Sequence, residues 1–234
     1  MTVSGGTIDI ETTGDGLWDD EEMDTSASAC IKADGDIHIS GGSLTLTSTG
    51  TGGKGINVDG ALVVDDGDIH ITTTGARYVY EGYEGEQNDI PDNYKSSPKG
   101  ITVGNGIVVN GGLVRVSTAE DGGEGLESKT TLDIYGGDIE IESYDDGINS
   151  KGDMTILGGR IYANSTDNDG IDSNANLFIR GGTIVAYGSS LHELGIDVND
   201  RGTKKLYVSG GALVAFGGST GFLSQCCQAD LRAC

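Results

Sequence analysis

The chain is 234 residues long and carries 37 acidic and 14 basic side chains, a formal net charge of −23. That charge argues against a nucleic-acid partner, whose phosphates would be repelled, and disfavours an anionic membrane surface; it suits a hydrated surface that binds cations. Glycine occurs 41 times and proline twice, which excludes collagen and Pro-rich disorder, and no apolar run reaches the roughly 18 residues of a membrane span.

The chain opens on Met1-Thr2-Val3-Ser4-Gly5-Gly6, inside a repeat rather than on a signal peptide, as a trimmed secreted or cell-surface protein would. Gly-Gly pairs, in one case Asp-Gly, then recur at 5–6, 41–42, 66–67, 111–112, 136–137, 158–159, 181–182 and 210–211. A second mark, Gly followed by Ile or Leu, precedes most of them: Gly55-Ile56, Gly100-Ile101, Gly125-Leu126, Gly147-Ile148, Gly170-Ile171 and Gly195-Ile196. Cys30-Ile31 fills the same slot. From the mark to the next Gly-Gly is 11 residues in five of six cases, and 15 in the last. A constant interval with a variable remainder describes a coil with one fixed wall and one tolerant turn.

Each Gly-Gly is flanked by period-two alternation, as in Ile37, Ile39, Leu44 and Leu46, or Leu132, Ile134, Ile139 and Ile141. Such short alternation means half-buried strands, and Asp, Thr, Ser, Glu and Arg between them suit an outer face. A unit of 22 to 25 residues with three short strands predicts an all-β fold, a right-handed parallel β-helix of about eight coils. At ~4.8 Å per coil it would be roughly 38 Å long.

Residues 1–221 read as a single β-helix domain and 222–234 as an irregular tail or cap. A loop insertion at about 72–99 holds both prolines and four of the nine tyrosines, Tyr78, Tyr80, Tyr83 and Tyr94. Insertions on a solenoid often form its binding face, so these rings are candidate ligand-binding residues. The cysteines are Cys30, Cys226, Cys227 and Cys234, with no C-x-x-C, so neither a disulfide framework nor a zinc site is expected.

Aligning the coils on the Gly-Ile mark superposes polar residues. The position after Ile or Leu reads Lys32, Asn57, Thr102, Glu127, Asn149, Asp172, Asp197. The position before Gly reads Lys54, Lys99, Glu124, Asp146, Asp169, Leu194, with Asp145, Asp167 and Glu193 close by. Carboxylates about one strand spacing apart repel one another, and a shared cation relieves that. Hard oxygen donors without His or Cys select Ca²⁺. Asp167-Asn168-Asp169-Gly170-Ile171-Asp172 is not an EF-hand, because Phe178 stands where the closing Glu belongs.

Asp146-Gly147-Ile148-Asn149-Ser150-Lys151-Gly152, followed by Met154-Thr155-Ile156-Leu157-Gly158-Gly159, resembles a bacterial, largely clostridial family of carbohydrate-binding-domain-containing proteins. Glu124-Gly125-Leu126-Glu127-Ser128-Lys129, Asp169-Gly170-Ile171-Asp172-Ser173 and Gly210-Gly211-Ala212-Leu213-Val214-Ala215 look like its other coils, and the resemblance extends to about Gly221. It implies a secreted β-helix, similar in fold to pectate lyases, that binds calcium and attaches to cellulose or to acidic plant cell-wall sugars such as polygalacturonate.

The leading expectation is therefore a calcium-dependent binding module, with Lys129 and Lys151 beside the acidic column as further ligand-binding candidates. The alternatives are a polysaccharide lyase taking its base from Lys54, Lys99, Lys129 or Lys151, and a structural surface adhesin. His38 and His70 fall on outer strand faces and His192 in a turn, so no Ser-His-Asp arrangement stands out.

Overall fold

A computed structural model of the chain describes residues 1–86, 90–198 and 203–218. It is an all-β solenoid of parallel strands, and helix among the described residues is confined to a 3-10 turn at Asp92–Tyr94. One wall is a seven-stranded sheet built from the Gly-Ile segments. Its strands are Ala29–Ala33, Lys54–Val58, Lys99–Val103, Glu124–Ser128, Ile148–Ser150, Ile171–Ser173 and Ile196–Val198. That wall has one strand fewer than there are Gly-Gly corners, because the first corner, within Thr2–Thr12, comes before its first strand. The other walls form an eleven-stranded sheet that bends at each Gly-Gly. Through the corner, Ile37–Ser48, Leu62–Thr73, Leu177–Tyr187 and Leu206–Phe216 each run as one strand.

The period-two alternation sends every second apolar side chain inward. Successive coils pair in register, so Ile37, Leu62, Ile107, Leu132, Met154 and Leu177 stack one above the next. On the far side of the corner a second stack runs through Leu44, Ile69, Val114, Ile139, Ile161 and Ile184. Every member of both stacks is buried. Each such side chain taken out of water contributes roughly 2 kcal/mol, and each coil gains it only against its neighbours.

Two glycine positions make the coil possible. The second Gly of the corner has a left-handed φ, +80° at Gly112, +93° at Gly137 and +88° at Gly159, which a side chain would strain. The Gly of the Gly-Ile mark instead meets the next coil, since a Cβ on Gly55 would lie 2.6 Å from the Gly100 carbonyl oxygen. Buried hydroxyls tie coils together, as where Ser150 Oγ donates to the Thr130 and Gly152 carbonyls, both at 2.9 Å.

Two excursions leave the solenoid. The expected one spans 74–98 and contains the antiparallel pair Tyr78–Val79 and Lys95–Ser96. A second lies between Thr12 and Ala29, where Leu17–Asp19 pairs antiparallel with Asp24–Ser26. The residues of the expected tail, 222–234, with Cys226, Cys227 and Cys234, lie outside the described residues.

Candidate functional site

The outer face of the seven-stranded sheet carries the polar columns in the expected register. Lys32 pairs with Asn57, Asn57 with Thr102, Thr102 with Glu127, Glu127 with Asn149, Asn149 with Asp172, and Asp172 with Asp197. Beside it, Lys54 pairs with Lys99 and Lys99 with Glu124. Charge is thus segregated along the axis, with lysines at one end and carboxylates at the other.

The two halves meet in a buried ionic cluster. Lys99 Nζ lies 2.8 Å from Glu124 Oε1. Glu127 accepts a hydrogen bond from Thr102 Oγ1 at 2.7 Å and pairs with Lys129. Burial opposes the charge on Lys99, but Glu124 and Glu127 outweigh it and hold its pKa above the usual lysine value. Burial also raises Glu127, but Lys99, Lys129 and the hydrogen bonds from Lys129 and Thr102 bring it below the usual carboxylate range. Glu124 is pushed up to about 7 by burial, against the pull of Lys99. Its Oε2 is buried with no hydrogen-bond partner. Lys54 donates to Ser96 Oγ at 2.8 Å and to the Gly52 carbonyl at 3.1 Å. Burial first, then Lys99, lowers it to about 8.

Further along, the acids form no ion pair with a lysine among the described residues. Asp146 is buried and accepts from Asn149 Nδ2 at 2.8 Å and from the Asp169 amide at 3.1 Å. Burial, then Asp145, Glu124 and Asp172, push it up to about 9. Asp169 accepts from the Leu194 amide at 2.6 Å and is raised to about 6, chiefly by burial. Asp172 is raised to about 7 by burial and by Asp197 and Asp169. Asp169, Asp172 and Asp197 each bring one carboxylate oxygen within 4.8 Å of the others. These are hard oxygen donors only, the set that suits Ca²⁺.

The remaining expected ligands sit around this group. Asp145 is tied to Asn168 Nδ2 at 2.7 Å. Asp167 is exposed, and Glu193 is half-buried on the side of Asp169. Lys151 is exposed one coil from Asn174, whose amide donates to the Ser150 carbonyl.

The tyrosines of the 74–98 excursion come together away from the acidic end. Tyr80 and Tyr94 lie side by side, and Tyr83 tilts against Tyr94 with ring centres 5.0 Å apart. Tyr78 packs over Gly16 instead. The organising residue is Trp18, which sequence patterning does not single out: its ring stacks on Tyr80 at 4.3 Å and on Tyr94 at 5.0 Å. The one available signal is that it is the chain's single tryptophan, in a stretch that breaks the coil pattern.

No curated protein and no solved structure matches the chain. A family model described as carbohydrate-binding domain-containing protein matches residues 1–147 and, overlapping it, 122–170. That match covers most of the solenoid and both excursions, and the chain belongs to the family of carbohydrate-binding domain-containing proteins.

Proposed function

We propose that the protein binds extracellular polysaccharide through Ca²⁺ held at the acidic end of the seven-stranded sheet. The observation that carries this reading is the convergence of Asp169, Asp172 and Asp197 from two adjacent coils. Three carboxylates so close are costly without a cation, and their mutual repulsion adds to the effect of burial in raising Asp169 and Asp172. A bound Ca²⁺ would remove the repulsion and offer open coordination positions to the carboxylates of an acidic sugar such as polygalacturonate. Lys151, and Lys129 beyond it, would flank a polymer lying along the column.

A binding role fits better than a lyase. The lysine with a lowered pKa is Lys54, four coils from Asp169 in the same column, roughly 19 Å at ~4.8 Å per coil. A base must reach the proton it removes at hydrogen-bond distance. Lys99 and Lys129 are engaged by Glu124 and Glu127.

Calorimetry tests the reading directly. Ca²⁺ should bind the chain, and oligogalacturonide should then bind in Ca²⁺ but not in EDTA, without unsaturated product. Absence of Ca²⁺ binding at millimolar concentration would defeat it.

A further inference from the structure

We infer that Trp18, mounted on Tyr80 and Tyr94, is a second sugar-binding site, which takes a neutral pyranose chain without calcium. The inference rests on the reading that this chain binds polysaccharide, but not on the acidic column.

The geometry starts from the two excursions. Tyr80 and Tyr94 are cross-strand neighbours, the Tyr80 amide donating to the Tyr94 carbonyl at 2.9 Å. Both rings lie nearly parallel to the Trp18 ring, at 14° and 9°. Rings on opposite faces of one aromatic plane would be about 7 Å apart or more, at ~3.5 Å per contact. Tyr80 and Tyr94 are 6.3 Å apart. Both therefore lie on the same face of Trp18. The opposite face has no aromatic partner among the described residues, and Trp18 remains partly open to solvent.

Hydrogen bonds tie the two excursions together. Thr25, paired with Trp18 across its hairpin, donates from Oγ1 to the Lys95 carbonyl at 2.8 Å. Asn93 Nδ2 donates to the Met23 carbonyl at 3.1 Å. Trp18 Nε1 donates to Asp20 Oδ1 at 2.8 Å. A ring held by such contacts has less freedom to lose on binding.

The surroundings select the ligand. Exposed Asp19, Asp20, Glu21, Glu22 and Asp24 share the Trp18 hairpin. Lys95, the lysine of the neighbouring strand, is paired with Asp92 at 3.2 Å. An anionic sugar would be repelled here. A neutral pyranose can lay its apolar C–H face on the indole while its rim hydroxyls donate to these carboxylates.

Because Trp18 is the only tryptophan, its fluorescence reports on this site alone. Titration of the full chain with cellohexaose in EDTA should give a saturable change in emission. Trp18→Ala should weaken cellohexaose binding roughly tenfold or more by calorimetry. The same variant should keep the Ca²⁺-dependent binding of oligogalacturonide. Emission that does not respond to cellohexaose in the unaltered chain overturns the inference, and this readout does not depend on the variant folding. So does a response that requires Ca²⁺. Loss of oligogalacturonide binding alone would instead count against the calcium site and leave this one standing.

Discussion

Lys99 Nζ and Glu124 Oε1 meet at 2.8 Å on adjacent coils, at the point where the outer column changes from basic to acidic. Both side chains are nearly buried, 12% and 11% exposed, so the contact is a buried ion pair and not a surface one. It divides the face into a basic end, where Lys54 lies beside Lys99, and an acidic end.

Removing Lys99 should therefore be costly. Lys99→Met keeps the aliphatic stem but leaves Glu124 without its partner and Glu127 with less positive charge nearby. Breaking one side of such a pair costs about 3–5 kcal/mol. Urea unfolding at pH 8 should show a loss of that order, and Lys99→Met with Glu124→Leu should recover much of it. An unchanged midpoint for the single variant would mean that the pair contributes nothing.

The acidic end predicts an unusual pH dependence. Glu124, Asp169, Asp172 and Asp146 have folded-state pKa values raised to about 7, 6, 7 and 9. Unfolded carboxyls release their protons near pH 4. Between those limits the folded chain holds more protons than the unfolded one, so stability falls as pH rises. In EDTA, unfolding free energy should drop by at least about 2 kcal/mol between pH 5 and pH 9. A flat or rising profile over that window would contradict the raised values.

Much of this arrangement is legible in the sequence. The spacing of Gly-Gly and Gly-Ile marks places Glu127, Asn149, Asp172 and Asp197 over one another, and the pairing of the strands agrees. The same register puts Lys99 directly beside Glu124, and Glu127 and Lys129, two apart on an extended segment, share a face. Both ion pairs were within reach of the pattern, although charge type alone reads the two glutamates as metal ligands. Trp18 is different. Its partners are more than 60 residues away in another excursion, and neither segment follows the coil period that makes the rest readable.

Cys30 fills the slot of the Gly-Ile mark in the first strand of the sheet, but the glycines of the middle coils should not tolerate a side chain. A Cβ on Gly100 would fall 2.6 Å from the Gly125 carbonyl oxygen, backbone that is fixed by the next coil. Gly100→Ala should destabilise the solenoid by about 2 kcal/mol or more, as overpacking of a rigid interior does. Gly35→Ala, where nothing lies within 4 Å of the added carbon, should stay within about 0.5 kcal/mol of the parent. Equal midpoints in thermal unfolding would show that the close approach is not what keeps glycine in the mark.

The two kinds of acid on the face should respond differently to calcium. Asp172 faces Asp169 and Asp197 with no lysine partner among the described residues, whereas Glu127 is held by Lys129 and Thr102. Asp172→Asn removes one charge from the proposed ion site and also relieves repulsion, so it should raise Tm in EDTA while shrinking the further rise produced by Ca²⁺. Glu127→Gln leaves Lys99 and Lys129 with less compensation, so it should lower Tm in EDTA and leave the Ca²⁺ increment close to that of the parent. The decisive quantity is the difference in Tm with and without the ion, measured for each variant. An increment lost in Glu127→Gln and retained in Asp172→Asn would move the ion towards the lysine end of the column.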